Sequence, residues 1–495
     1  MKRGKFLILF LWFTVGVFAA PNEKDSVLVS TDSVTAMVDS VPPRKVKQGW
    51  NFGVLPSVAY DADLGFQGGL LGNVYFYGDG SQYPDYIHSL FLEASYSTKH
   101  YGTVRFNYDS RYVIPNHRLT LDATYLPDAM CDFYGFNGYQ SKYKYEWQHW
   151  NKDPEKMDTL LYQSRAYYKY RRDFIRVSMD VERELPYHLK VNMGIGVLGY
   201  IISRCDFQLL NSSIKKEKDS IRYLDPSVEG LYDKYIRWGL IHPSEQKGGW
   251  HPYLRLGVTY DTRDQQACPT RGIHTDVFFT YSAAFNSSYY GNQAAAGYNH
   301  LQFNFTFRHY VSVYRNRVIF AYRLGTQNLI AGKSPYYMNT YLNTLFIQRV
   351  LYEGLGGGNS LRGVLRNRIL ANGYAYANIE WRFRIVDFDI KRQHFYLGLT
   401  PFFDMGLVTQ PYRLDEEEVR STIAACNERD GKSDHVDDFF SFSKKDIYRP
   451  HMSAGIGLKA AMNENFILSV DWAAAFDQQD CRDLTNFYVK MGYLF

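Results

Sequence analysis

The last ten residues of the chain alternate without a break. Phe487, Val489, Met491, Tyr493 and Phe495 fall on one face of an extended strand, and Asn486, Tyr488, Lys490, Gly492 and Leu494 on the other. Successive side chains of a strand point to opposite sides of a sheet, so the segment divides an apolar face from a more polar one. The division recurs upstream. In 465–474, Phe466, Leu468, Val470 and Trp472 lie opposite Ser469 and Asp471. In 373–385, Ala375, Ala377, Ile379, Trp381, Phe383 and Ile385 oppose Asn378, Glu380, Arg382 and Arg384. In 253–261, Leu254, Leu256, Val258 and Tyr260 oppose Arg255, Thr259 and Asp261. Charges on one face and apolar or aromatic groups on the other describe a wall between water and lipid, the pattern of an all-β transmembrane antiparallel barrel.

The first residues agree with export. Lys2, Arg3 and Lys5 precede an apolar stretch from Phe6 to Phe18, and Val17-Phe18-Ala19 or Phe18-Ala19-Ala20 offers a cleavage site, so 1–20 reads as a signal peptide. About 13 apolar residues are too few to span a hydrocarbon core of roughly 30 Å as a helix. No cysteine follows the cleavage site, which excludes a lipoprotein signal. Residues 21–48, rich in Ser, Thr, Val and Asp and ending near Pro42-Pro43-Arg44-Lys45, read as a flexible periplasmic leader, with the barrel over 49–495. A mean hydropathy of −0.36 beside 43 Tyr and 33 Phe suits a wall that is apolar only on alternate residues. A net charge of +5 is too small and dispersed to point to nucleic acid. The five cysteines are scattered, without zinc spacing, and leave room for one disulfide between outer loops.

Counting strands tests the reading. Splitting 162–184 at Arg171-Arg172 gives about 17 segments, and a single-chain bacterial barrel needs an even number. No Gly, Pro or Asn marks a turn there, so the segment is one long strand. The set is then 50–60, 66–77, 87–98, 101–110, 117–127, 162–184, 188–202, 250–261, 271–284, 298–311, 316–328, 373–385, 393–406, 450–461, 465–474 and 486–495. With the N-terminus inside, the long connections 128–161, 203–249, 329–372 and 407–449 fall outside the cell. The short ones 111–116, 185–187, 262–270, 312–315, 385–392 and 462–464 fall in the periplasm, the usual asymmetry of such barrels.

Three stretches exceed a generic barrel: Tyr260-Asp261-Thr262-Arg263-Asp264 followed by Pro269-Thr270-Arg271-Gly272; Gly354 to Gly358 leading through Asn359-Ser360-Leu361 to Arg362-Gly363; and Phe402-Phe403-Asp404-Met405-Gly406. With Phe133-Tyr134-Gly135-Phe136-Asn137, they make the chain resemble the BamA/TamA-type superfamily of outer-membrane proteins, the bacterial surface antigen family. Its barrels carry a D-x-R-D…P-x-x-G turn and a glycine-rich loop ending in an R-G tip. The resemblance implies that this tip folds into the lumen and that Arg362 pairs with Glu380 and Asp404. The alternation independently turns both carboxylates inward, where a charge can be paired away from lipid. The terminal strand, with Tyr493 and Phe495, resembles the C-terminal signal of outer-membrane barrels. Asp261, Arg263, Asp264, Pro269 and Gly272 read as structural.

Other chemistry is not indicated. No Gly-Lys-Ser/Thr follows Gly354–Gly358, so they are not a phosphate loop. The acidic runs Asp415–Glu418 and Asp434–Asp438 read as loop charges rather than a calcium site, and no hydrolase motif, metal site or cofactor motif stands out. The resemblance implies insertion of client barrels, or movement of protein or lipid, at the outer membrane of a Gram-negative bacterium. Outer-membrane lipids, client outer-membrane proteins and a periplasmic or lipoprotein partner are the expected company. The mechanism it implies opens the seam between 50–60 and 486–495, which Pro56 and Gly492 would weaken. Residues 21–48 leave no room for the POTRA domains that receive clients, so a barrel-only member is expected. A passive channel, or a structural surface protein that kept the fold without insertase activity, is the other reading.

Overall fold

The computed structural model describes residues 46–81, 83, 86–150, 161–212, 214, 221–283, 298–347, 352–390, 393–462, 466–481 and 486–495. The expected signal peptide and all but the end of the leader lie outside these residues. Sixteen antiparallel strands close one barrel. In chain order these are β1 (Trp50–Asp61), β2 (Gly65–Phe76), β3 (His88–Ser97), β4 (Gly102–Ile114), β5 (His117–Asp132), β6 (Lys169–Leu185), β7 (Leu189–Ser203) and β8 (Gly248–Asp261). Then come β9 (Gly272–Ser282), β10 (His300–Tyr314) and β11 (Val318–Gly332). The short β12 (Tyr341–Leu342) and β13 (Tyr352–Glu353) pair with each other outside the barrel sheet. The barrel resumes with β14 (Gly373–Ile390), β15 (Gln393–Gln410), β16 (His451–Met462), β17 (Phe466–Ala475) and β18 (Asn486–Met491), which returns to β1.

The alternation reads true along the wall. Leu254, Leu256, Val258 and Tyr260 are exposed on the outside of β8, while Arg255 and Thr259 are buried inside. On β14, Trp381 faces out and Asn378, Glu380 and Arg382 are buried. Such an interior can hold charge only if other groups meet it, because a buried ion without a partner is costly.

Several strand limits differ from the sequence reading, and two of them shape the mouth of the barrel. β5 runs on to Asp132, and β6 begins at Lys169 rather than 162. The residues before β6 are drawn instead into an aromatic cap: Tyr167 and Tyr168 are fully buried, and the Tyr168 hydroxyl accepts from the Lys144 N–H at 3.0 Å. Four long connections build this cap. Phe133 meets Tyr235 edge-on at 5.1 Å, Trp238 meets Phe439 at 5.0 Å, and Tyr170 stacks on Tyr232 at 4.8 Å. Phe133-Tyr134-Gly135-Phe136-Asn137 lies in its centre, with all three of its rings buried. Many of the chain's aromatics therefore fill a polar barrel's mouth instead of facing lipid.

The helix Glu416–Asp430 is the cap's clearest element. Val419, Ile423 and Cys426 recur at helical spacing and are the residues it buries. Asp415 caps it by accepting from the Glu418 N–H, and three glutamates occupy its first turn. Anionic groups are favourable at that end of a helix. The run Asp415–Glu418 is thus a helix start.

Candidate functional site: the lumenal tip and the barrel seam

The connection before β14 turns back into the lumen. Gly356 and Gly357 take φ of +115° and +93°, and a Cβ on Gly356 would sit 2.1 Å from the Leu365 carbonyl, so only glycine permits the turn. The turn delivers Arg362 to a site with no solvent exposure. Its main-chain N–H and Nε donate to Asp404 Oδ2 at 3.0 and 2.9 Å, and Nη2 donates to Asp404 Oδ1 at 3.0 Å. Nη1 donates to Glu380 Oε1 at 2.8 Å. The guanidinium also lies 3.5 Å from the centre of the Phe402 ring. A planar cation with several fixed donors suits this double carboxylate contact, which a lysine could not reproduce.

The structure adds partners that sequence reasoning missed. Asp471 Oδ2 stands 3.6 Å from Arg362 Nη1, and Asp471 also meets Lys459 at 2.5 Å and Lys490 at 3.7 Å. Arg382 donates to the second oxygen of Glu380 at 2.9 Å. Further along the tip, Arg366 pairs with Asp128, Asp132 and Glu353, and Arg368 reaches the Gly138 and Ser141 carbonyls. Every second residue of β18 also holds the tip from the lumen side. Asn486 donates to the Gly363 carbonyl at 3.0 Å, Tyr488 accepts from the Gly363 N–H at 3.0 Å, and Lys490 donates to the Gly358 carbonyl at 2.8 Å.

The turn between β8 and β9 is self-contained. Arg263 makes two side-chain bonds to Asp261, each 2.8 Å. Asp264 accepts from the N–H groups of Gln265 and Thr270 and from the Thr270 hydroxyl. Gly272 has φ +106° and no room for a Cβ against the Thr262 carbonyl. Pro269 lies within this turn, apart from the tip.

At the seam, β1 and β18 are matched only at Tyr60–Val489 and Asp61–Tyr488 among the described residues. On its other edge β1 is matched with β2 at every residue from Trp50 to Asp61. The edge of β1 from Trp50 to Ala59, Pro56 included, thus has no residue-matched partner on the β18 side among the described residues. A model of the Omp85 superfamily domain matches residues 88–495. The chain belongs to the Omp85 superfamily. The motif resemblance read from the sequence points to this same group. Solved structures similar to this Omp85 chain include BamA from Haemophilus ducreyi lacking POTRA domains 1–3, at 14% identity and a TM-score of 0.49, over 90% of this chain and 71% of that one. CdiB from Escherichia coli is similar at 12% identity and a TM-score of 0.48, over 89% of this chain and 63% of that one. No curated protein matches the sequence.

The C-terminus of this Omp85 barrel departs from the expected strand. β18 ends at Met491, and Gly492, at φ +88°, turns the chain into the lumen. Leu494 and Phe495 are buried there, and the Tyr493 hydroxyl lies 3.1 Å from that of Tyr396. Tyr493 and Phe495 therefore do not continue the lipid face. The departure has a physical cause: a positive φ rotates the next residues out of the sheet, and lumenal arginines receive the aromatic rings. Gly492 acts through this turn, not through weak packing in a strand. No two of the five cysteines are joined, so the disulfide left open between outer loops is not formed. Asp434 is likewise no isolated loop charge, since Lys234 and Arg237 both pair with it.

Proposed function

We propose that this chain is an outer-membrane protein that inserts or translocates polypeptide through the β1–β18 seam, without a catalytic centre. One observation carries the reading: β1 is matched with β18 only at Tyr60 and Asp61, which leaves its edge from Trp50 to Ala59 without a matched partner among the described residues, while its other edge is matched with β2 throughout. Unpaired main-chain donors and acceptors on a strand edge are a template for an incoming strand. Outward-facing Phe52, Val54 and Val58 place that edge against lipid, where unmet polar groups are costly and pairing is correspondingly favourable. The tip supports the same reading, because it grips β18 from inside and keeps that strand in place while β1 is free to part from it. A wide passive channel is the poorer reading, since the Arg362 tip and the aromatic cap occupy the lumen and its mouth. Client barrels and a periplasmic or lipoprotein partner belong to this proposal.

The test is a disulfide across the seam. Tyr60→Cys and Val489→Cys, made after replacing the five native cysteines, would join the two strands where they are in register. Reduced protein in liposomes should speed folding of a small client barrel, and oxidised protein should not. Acceleration that survives the crosslink, or steady conductance in planar bilayers without acceleration, would sink the proposal.

A further inference from the structure

Between β4 and β8 the inner wall pairs its charges closely. Arg105 and Arg176 share Asp122 at 2.7 Å, Arg118 meets Asp109 at 2.5 Å and Arg255 meets Asp180 at 2.8 Å. Arg308, on the inward face of β10, differs. It is only 5% exposed, yet among the described residues its Nε and Nη2 have no hydrogen-bond partner and no carboxylate stands in ion-pair contact with it. Across the sheet it lies opposite His274 of β9 and Arg323 of β11. His274 is buried too, and its Nδ1 has no partner among the described residues. Arg323 is engaged elsewhere, donating from Nε to Asn378 at 2.9 Å and lying 5.1 Å from the centre of the Tyr376 ring. The acid two residues along β9, Asp276, accepts instead from the Thr259 hydroxyl and from the Phe346 N–H, the latter at 3.1 Å.

A buried cation without a counter-charge is costly, so a group that supplies the missing charge binds favourably there. The two unmet nitrogens are chemically specific. Nε and Nη2 lie along one edge of the planar guanidinium and donate in parallel, the arrangement that takes both oxygens of a carboxylate. One uncompensated guanidinium is balanced by one negative charge, whereas a phosphate dianion would leave a buried charge over. His274, in the tautomer with its proton on Nδ1, adds a third donor. Asn304, four residues toward the mouth on the same face, is fully buried with neither amide atom paired among the described residues. At about 13 Å along the strand it is out of reach of a small anion bound at Arg308, but not of a peptide. The nitrogens of Arg308 are shut off from solvent, so a ligand enters by a local shift. Phe495 is placed to give way, since its ring lies 6.2 Å from that of Tyr310 and 5.3 Å from the Arg323 guanidinium, the neighbours of Arg308 along and across the sheet.

We propose that Arg308 and His274 form a lumenal binding site for a carboxylate, carried either by a small free anion or by an acidic side chain of another polypeptide. The parallel edge of Arg308 takes the two oxygens and supplies the balancing charge, and His274 donates from the neighbouring strand. The site goes beyond the insertion reading and does not rest on it.

The test follows thermal unfolding of the full-length protein by tryptophan fluorescence, in a non-ionic detergent at neutral pH, as sodium acetate replaces sodium chloride at constant ionic strength. The midpoint should rise saturably with acetate, because a ligand of the folded state stabilises it by mass action. Arg308→Met should remove the rise. Arg308→Lys, which keeps the charge but not the parallel edge, should need at least about tenfold more acetate for half the effect, as expected for loss of a charge-assisted hydrogen bond. Phe495→Ala is measured beside the native protein, so that a covered site is not mistaken for none. A capped five-residue peptide with one central glutamate, set against its glutamine twin, separates the two sources. Stabilisation by the glutamate peptide that Asn304→Leu weakens assigns the site to polypeptide side chains; stabilisation by acetate alone assigns it to a small free anion. No saturable rise with either probe in the native protein or in Phe495→Ala, or an equal rise in Arg308→Met, overturns the proposal. Should Arg308→Met not fold, the lysine variant decides, and half-saturation equal to that of the native protein overturns it. Neither result bears on whether the seam speeds client folding, so the two readings fail separately.

Discussion

Arg362 is the residue on which the lumenal tip depends, and its environment sets what its loss should cost. Removing one member of a buried ion pair leaves the others charged and unmet, an effect of about 3–5 kcal/mol. Arg362→Ala should therefore lower the temperature at which heat-modifiable migration is lost, and Asp404→Ala should do so too. The double variant should fall well short of the sum of the two, since both remove the same contacts. Additive losses would mean that the residues do not act as partners. Arg362→Lys should recover little, because a single ammonium cannot serve Asp404 through two nitrogens and Glu380 through a third. Glu380 and Asp404 were legible as inward carboxylates from period-two patterning alone, and the family resemblance named their partner. Asp471 lay on a polar face in the same patterning, yet nothing in the sequence linked β17 to the tip. Arg366 and Arg368 were illegible for a plainer reason. Most of their acidic partners, Asp128, Asp132 and Asp480, are more than a hundred residues away and sit at strand ends or in loops, where no periodicity marks direction.

At the scale of the strand, the sequence defines the faces well and the ends poorly. The faces follow from a steric rule that holds at every residue, whereas an end depends on what the following residues find to pack against. β6 starts seven residues later than its apolar and aromatic run because Tyr167 and Tyr168 bind the cap. β18 stops early because Gly492 permits a turn and Arg382 rewards it. The faces yield a direct test. Leu256→Arg on the outer side of β8 should destabilise the barrel in liposomes by about 2–4 kcal/mol if the position lies near the bilayer midplane. Denaturant midpoints in lipid measure it, and an unchanged midpoint would mean that this face does not meet hydrocarbon. Gly363 tests the tip's fit against the wall. Its φ is +91°, and an added Cβ would lie 3.2 Å from the Ala473 side chain and the Ala474 backbone. Gly363→Ala should thus cost about 1–2 kcal/mol from the backbone conformation alone, read by the same denaturant midpoints. A neutral result would show that the tip can shift away from β17.

The molecule as a whole is a barrel whose two ends obey different rules. The wall was legible because lipid imposes one repeating constraint; the cap was not, because it is a small aromatic core assembled from four separate connections. The sequence offered only undirected signals for it, the many tyrosines and phenylalanines and the stretch Phe133-Tyr134-Gly135-Phe136-Asn137. What fastens the cap's connections to one another can be tested by acidification. Asp434 is partly buried, which pushes its carboxyl toward the neutral form, but bonds from Lys234 and Arg237 outweigh burial and hold its pKa below the ordinary 3.8. A carboxyl depressed on folding contributes stability that is present above its unfolded pKa and is lost as pH falls through the folded one. Hydrogen exchange over Glu416–Asp430, corrected for intrinsic rates, should therefore be flat from neutral pH down to about pH 4 and show declining protection below it. Asp434→Asn should lower protection already at neutral pH and flatten the acid response, because Lys234 and Arg237 then lose their shared anion throughout. If both proteins instead keep the helix protected to the lowest pH, its docking rests on the Val419, Ile423 and Cys426 stripe alone, and the ion pairs at Asp434 only decorate a cap that apolar burial already closes.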